Sequence, residues 1–317
     1  MLNVTLLGSG GGMPMPERHL SSLMINYKGR KILVDCGEGT QVAIRKMNAG
    51  FKSIDIICIT HVHGDHIFGI PGLLSTMGNS QRLDPVTIVG PKGISDVMRG
   101  LLLSIKQLPY SIEIIEDPKG KLGITNTEQG LKIKEQKDGM NDEITVSTLE
   151  LDHSAPCFGY SFYLNRRPKF EPEKAIKNDV PRLIWSKLQK GETIVAGDRK
   201  YSPDLVLGEQ RRGIKLTYIT DTRPTKDIPQ WINQSDLFIC EGTYGDNDDM
   251  DKAIKNKHMT FMEAGELAKK GKVKELLLTH FSPALKEPNF YEHNAKKEFA
   301  HTTIGYDGYR KNIEYKN

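Results

Sequence analysis

Three histidines and an aspartate stand within six residues in Thr60-His61-Val62-His63-Gly64-Asp65-His66, directly behind the nearly continuous apolar run 55–60. A short run of that kind reads as a central strand buried on both faces. The polar cluster therefore emerges at the end of a strand in a sheet that is covered on each side. Packing does not explain four such side chains together, because each buried imidazole or carboxylate needs its own partner. Zinc chemistry explains the residue types: imidazole and carboxylate suit Zn²⁺, and catalytic sites use about three protein ligands per ion and keep a position for water. Alternate residues at a strand end point the same way, so His61 and His63 share one direction. The chain turns at Gly64, which lets Asp65 and His66 face a second ion.

The rest of the chain alternates short strands with glycine-rich turns. Residues 3–7 are extended and stop at Gly8-Ser9-Gly10-Gly11-Gly12. Residues 22–27 and 31–34 predict a hairpin around Lys28-Gly29-Arg30. Residues 87–89 predict a strand, and Pro91 opens a helix expected to run to about Ile105. Further strands are expected at 144–151, 159–164, 215–220, 237–240 and 274–279. Helices are expected at 259–270, with Thr260 near the start and Gly271 after the end, and at 289–300. Strands outnumber helices, yet helices recur between them, which predicts an α/β (α+β) architecture of two sheets with helices outside. No repeat or linker divides residues 1–317, so one domain is expected.

Three more potential ligands follow apolar runs: His153 in Asp152-His153-Ser154, Asp221 in Thr220-Asp221-Thr222-Arg223, and His280 in Thr279-His280-Phe281-Ser282. Taken singly, His153 could cap a turn, Asp221 could open a loop, and His280 could be a buried histidine. Taken together, all at strand ends, they read better as metal ligands.

The spacing His61-x-His63-x-Asp65-His66 resembles the signature of the metallo-β-lactamase superfamily. The continuation Phe68-Gly69-Ile70-Pro71-Gly72-Leu73-Leu74 resembles, more narrowly, the ribonuclease Z family. Asp35-Cys36-Gly37-Glu38-Gly39-Thr40-Gln41 resembles the family's second-strand turn, and Phe158-Gly159-Tyr160 resembles its segment after the third histidine. The resemblance implies a metallo-β-lactamase αββα sandwich, two stacked β-sheets flanked by helices. It implies His61, His63 and His153 on one zinc, Asp65, His66 and His280 on the other, and Asp221 bridging them. Two Zn²⁺ per chain are thus expected, with Mn²⁺ as a substitute. Seven ligands with one bridging carboxylate hold two ions and leave room for a shared hydroxide.

By the same resemblance Asp65 is the general base. His258, in Lys257-His258-Met259-Thr260, lies near the scissile phosphate, and Glu241, in Cys240-Glu241-Gly242-Thr243-Tyr244, orients it. On residues alone His258 would read as an exposed histidine at a helix start. The implied activity is hydrolysis of precursor tRNA that removes the 3′ trailer, leaving a 3′-hydroxyl on the tRNA and a 5′-phosphate on the trailer. A homodimer is implied as well. The Gly8–Gly12 loop lacks the setting of a Rossmann or P-loop and is expected to bring backbone close to the metal site. Gly305-Tyr306-Asp307-Gly308 resembles the family's closing turn and is expected to support the site or a subunit contact. His19 and His293 are expected at the surface.

Periodicity weakens from Asn165 to about Gly208, and prolines and charges accumulate: eight lysines and arginines between 166 and 190 face Glu171, Glu173 and Asp179. Composition alone reads this as a solvated loop. Its position matches the tRNA-binding arm of the ribonuclease Z family, an insertion at about 165–208. The match departs where the family carries Pro-Gly and Gly-Pro; here stand Pro168-Lys169 and Arg182-Leu183-Ile184. Net charge of +4 is compatible with RNA without requiring it. Cys36, Cys58, Cys157 and Cys240 form no CxxC pair and are expected to be buried free thiols. No apolar run reaches membrane-spanning length and no signal-type segment opens the sequence, so a cytoplasmic protein is expected. The competing readings are a superfamily hydrolase acting on a small phosphodiester or ester, and a non-catalytic RNA-binding protein with a structural metal.

Overall fold

The computed structural model describes residues 1–136 and 142–315. In chain order the strands are β1 (Leu2–Gly8), β2 (Ser22–Tyr27), β3 (Arg30–Val34), β4 (Ile54–Cys58), β5 (Val86–Gly90), β6 (Ile112–Glu116), β7 (Leu122–Thr127), β8 (Gly130–Glu135) and β9 (Ile144–Leu151). They continue with β10 (Cys157–Arg166), β11 (Ile194–Ala196), β12 (Arg199–Tyr201), β13 (Arg211–Ile219), β14 (Leu237–Glu241), β15 (Leu276–Thr279), β16 (Thr302–Ile304) and β17 (Arg310–Ile313).

One sheet has the order β17-β1-β2-β3-β4-β5-β6, the other β16-β15-β14-β13-β10-β9-β7-β8. Each sheet is half parallel: β3 through β6 in the first, and β13 through β16 in the second. Parallel neighbours end on the same edge, so every loop that follows one of these strands opens on that edge.

Side-chain alternation sorts the apolar residues into layers. Ile32, Val34, Ile56 and Cys58 meet Tyr160, Phe162, Leu216 and Tyr218 between the sheets. Leu33, Ile57 and Ile59 point the other way, against Ala43, Ile44, Leu73, Met77 and Met98 of the outer helices. Phe238 and Cys240 of the second sheet pack on Phe261, Ala264, Leu267 and Ala268. The result is the four-layer αββα sandwich of the metallo-β-lactamase fold. Strand β4 carries one charge, Asp55, which is buried with Arg82 (3.0 Å) and Arg30, so the ion is paired rather than isolated.

Several expectations need correction. The helix after Pro91 starts at Ile94, behind a left-handed Gly93, and its regular part stops at Leu101. The last helix is a 3₁₀ turn (Pro288–Tyr291) followed by Glu292–Glu298. Strands β6 and β8 carried too many charged residues to stand out, because they are sheet edges whose outer faces meet water, and β7 ends in the polar Thr125-Asn126-Thr127 beside β8. The 165–208 segment is more than a solvated loop. Ala175, Val180, Leu188, Tyr201 and Val206 form a small core of their own, with Phe170 and Trp185 packed against it and β11-β12 as a separate hairpin. The four cysteines are buried and free. Among the described residues, no helix is long and apolar enough to cross a membrane.

Candidate metal centre

The seven histidines and aspartates singled out by the sequence converge on the common edge. His61 and His63 follow β4, and the short helix Gly64–Ile67 carries Asp65 and His66. His153 follows β9, Asp221 follows β13, and His280 follows β15. Asp221 and His280 leave their strands in the left-handed region (φ 50° and 58°), as does Asp35 after β3 (φ 59°). Aspartate and histidine tolerate this conformation better than most residues, and each such residue stores about 1–3 kcal/mol of strain. The strain turns each side chain back across the strand ends toward one point.

Two donor sets result. His61 Nε2 lies 3.0 Å from His63 Nδ1, which lies 3.2 Å from His153 Nε2. His66 Nε2 lies 3.3 Å from His280 Nε2, and each is 3.5 Å from Asp65 Oδ2. Asp221 stands between them: Oδ1 is 3.9 Å from His61 Nε2 and from His153 Nε2, while Oδ2 is 3.2 Å from His66 Nε2 and from His280 Nε2. Donors ~2.0–2.1 Å from a tetrahedral ion lie about 3.3 Å from one another, so these spacings fit a divalent ion within each set. The donor chemistry, imidazole and carboxylate without thiolate, fits Zn²⁺ or Mn²⁺.

Electrostatics follow from burial and charge. Burial holds His61 and His153 below the usual imidazole range, toward the neutral form that ligates metal. Burial alone would raise Asp221, but His280, His66 and His61 outweigh it and hold it well below the carboxylate range. Asp65 is likewise held low by His280 and His66 against its burial. His66 is opposed by burial yet raised by Asp221 and Asp35.

A supporting shell, which the sequence reading did not single out, orients these candidate ligands. Fully buried Asp35 accepts from Thr60 N (2.8 Å), and its other oxygen lies 2.8 Å from His66 Nδ1. Thr60 Oγ1 is 3.1 Å from His61 Nδ1, and Thr243 Oγ1 is 3.1 Å from His280 Nδ1. Ligating histidines commonly use their second nitrogen in this way. Asp35 carried a usable signal: like Asp221 and His280, it is a polar residue directly behind a buried apolar run.

The glycine-rich loop reaches the site as expected. Gly12 N donates to Asp65 Oδ2 (2.7 Å), and a Cβ on Gly11 would lie 2.3–2.6 Å from the His280 ring. Asp307 anchors the loop by accepting from Ser9 N (2.9 Å) and Ser9 Oγ (2.8 Å). The same carboxylate binds His19 through its backbone N (2.6 Å) and Nδ1 (2.7 Å). His19 is therefore a half-buried anchor and not the surface residue its sequence context suggested. His293 is exposed.

His258 sits beside this centre. It follows Lys257, which ends the helix Met250–Asn256 in the left-handed region (φ 58°), and precedes the helix Phe261–Lys270. Its Nδ1 is 3.2 Å from Glu241 Oε2, at the end of β14, and 3.8 Å from Asp221 Oδ1. Burial opposes charge on this imidazole, but Glu241 and Asp221 outweigh it, and the pKa is pushed up to about 9. Glu241 is fully buried, held by Thr222 N (2.6 Å), Thr243 Oγ1 (2.6 Å) and Met259 N (3.2 Å). Asp65, His63, His153, Lys257 and His258 help to line an open cavity of about 400 Å³.

Comparison with known proteins adds a consistent set of relatives. Residues 2–180 match a family model described as Anti-Pycsar protein Apyc1, and residues 201–281 match one described as Beta-lactamase superfamily domain. A curated ribonuclease Z of Clostridium perfringens is 55% identical over 316 residues, covering 100% of both chains. One from Clostridioides difficile is 53% identical over 307 residues, 97% of each. Among solved structures, the short form of human tRNase Z is 26% identical with a TM-score of 0.66, over 99% of this chain and 100% of that one. A metallo-β-lactamase fold protein of Bacillus subtilis, 19% identical, has a TM-score of 0.66 over 98% of each chain and shares the fold. The first family model ends inside the 165–208 segment, whereas the curated relatives match from end to end. The chain is a hydrolytic nuclease that belongs to the ribonuclease Z family.

Proposed function

We propose that this chain is a di-zinc endoribonuclease that removes 3′ trailers from precursor tRNA. The observation that carries the dinuclear reading is Asp221, whose two oxygens divide between the His61–His63–His153 and Asp65–His66–His280 sets. Two such ions, zinc or manganese, would lower the pKa of a bound water and offset negative charge developing at phosphorus. Asp65 would accept the proton of the attacking water, with Gly12 N holding its Oδ2 in place. As water adds to phosphorus and the bond to the 3′-oxygen breaks, that oxygen takes a proton from His258. Glu241 holds the His258 ring and favours its charged form, which keeps the proton available near neutral pH. The products are a tRNA 3′-hydroxyl and a trailer 5′-phosphate.

The 165–208 segment is proposed as the tRNA-binding arm, and its independent core supports a separate recognition module within a single 1–317 domain. Arg182 lies over the Trp185 ring (5.7 Å) and Arg199 over the Tyr201 ring (5.0 Å), so cationic and aromatic surface stand together. Phosphate contacts from such residues give salt-dependent affinity without touching the scissile bond. A cytoplasmic homodimer completes the proposal.

The test is incubation of the purified protein with a 3′-extended tRNA precursor and, in parallel, a chromogenic phosphodiester, with product ends mapped and metal counted. Cleavage at the trailer junction, with two ions per chain and loss of activity in Asp65→Ala, is the expected result. Turnover of the small phosphodiester alone would favour the small-molecule reading.

A further inference from the structure

His258 has no strand of its own to position it. It lies in the two-helix connection 257–260, whereas His61, His63, His153, Asp221 and His280 follow strands. A mobile loop would not hold a proton donor within the fraction of an ångström that transfer demands. His258 N donates to the Ala253 oxygen (2.9 Å) and Met259 N to Glu241 Oε2 (3.2 Å), and a pair outside the centre adds a further hold on this loop. Arg223 stands two residues beyond Asp221, and its guanidinium donates to the backbone oxygen of His258. The same guanidinium is paired bidentately with Glu263, one bond being Nη1 to Oε2 at 3.0 Å.

Glu263 also closes the capping box of the helix Phe261–Lys270: Thr260 N donates to its Oε2 (2.9 Å), and Glu263 N donates to Thr260 Oγ1 (3.4 Å). On the opposite side, Lys257 Nζ donates to Asp152 Oδ1 (2.8 Å) and to the His153 oxygen (3.2 Å). Arg223 N donates to the Asp152 oxygen (3.1 Å), which closes the ring of contacts. The loop is thus gripped between the segment carrying Asp221 and the segment carrying His153. Arg223 and Glu263 are largely shielded from water, with side chains 18% and 16% exposed, so the pair is more than a screened surface bridge.

We propose that Arg223 and Glu263 are positioning residues for the reaction, clamping the loop so that His258 stands at the leaving oxygen. This rests on the reading of His258 as proton donor. Lysine cannot replace Arg223, because one ammonium lacks the planar fork that serves Glu263 and the His258 oxygen together. Glutamine at 263 separates the two duties of Glu263, since glutamine also closes a capping box but offers no carboxylate to the fork.

The experiment compares Arg223→Lys, Glu263→Gln, His258→Ala and the double variant Arg223→Lys/His258→Ala, all with bound metal counted and steady-state kinetics on a precursor tRNA. The expected result is a kcat lowered roughly 10–100-fold in both clamp variants, as displacement of a catalytic group by about 1 Å would cause. KM and metal content are expected to stay near wild type, and the double variant to fall no further than His258→Ala. Additive losses in the double variant, a loss confined to KM, or a centre emptied of metal would overturn the clamp while leaving His258 as donor. A fully active His258→Ala would instead overturn the donor reading and the clamp with it. Glu263→Gln keeps the capped helix, so the proposal stays testable even if Arg223→Lys does not fold.

Discussion

Replacing Asp35 by asparagine separates the orientation of a ligand from its chemistry. One carboxylate oxygen accepts from Thr60 N at 2.8 Å, and the other faces His66 Nδ1 at 2.8 Å. Thr60 N is a donor, so the asparagine oxygen must face it and the amide NH₂ must face His66 Nδ1. Two donors then oppose each other unless the His66 proton moves to Nε2, the nitrogen aimed at Asp65, Asp221 and His280. That tautomer cannot ligate. Loss of such an outer partner costs about 10–100-fold in metal affinity, or roughly 1.4–2.7 kcal/mol. The mismatched pair costs about 1–3 kcal/mol of folding stability. Asparagine tolerates the φ of 59° here, so backbone strain adds little. The assay is competition with a chromogenic chelator, read ion by ion, beside a urea titration. The Asp65–His66–His280 half should release its ion first, while the His61–His63–His153 half stays near wild type. Unchanged affinity at both halves, or equal weakening of both, would refute the argument.

Three further outcomes follow from other parts of the molecule. Gly11→Ala puts a methyl group 2.3–2.6 Å from the His280 ring, so activity and metal content should fall together, as metal analysis would reveal. A Gly-Ser turn in place of 165–208 should weaken binding of precursor tRNA and flatten its salt dependence by about one unit per lost phosphate contact, while a small phosphodiester is still cleaved; parallel loss of both activities would mean that the segment supports the fold. Burial tends to raise Asp236, but Arg212, Lys274 and the backbone of Lys215 outweigh it and depress its pKa. A depressed carboxylate adds stability that is present above its unfolded pKa, about 3.9, and is lost as pH falls through the folded value. Asp236→Asn should therefore lower the urea midpoint at pH 7, and the gap to wild type should close below about pH 4.

The sequence alone determined which residue types meet at the centre and where they leave their strands. The apolar run 55–60 and the tight grouping of His61, His63, Asp65 and His66 demanded a buried strand ending in a polar site, and the runs before His153, Asp221 and His280 repeated that pattern. Periodicity is local, so it carried as far as strands, helices and the polar residues next to them. It missed β6 and β8, where edge positions admit charges, and the half-polar β7 beside β8, and it undervalued the 165–208 segment, whose small core joins residues such as Ala175 and Tyr201 across irregular chain.

Only the tertiary structure decided what reaches across the sheets. Asp35 meets His66 because β3 and β4 run parallel and end together, a pairing that no spacing within the sequence reveals. Asp307 binds His19 across 288 positions, and Arg223 grips the loop of His258 across 35. Such contacts depend on strand order and on left-handed turns at Asp35, Asp221 and His280, which are set by packing of the whole sandwich. Local propensity names the candidate ligands; the registry of the two parallel half-sheets brings their supports into place.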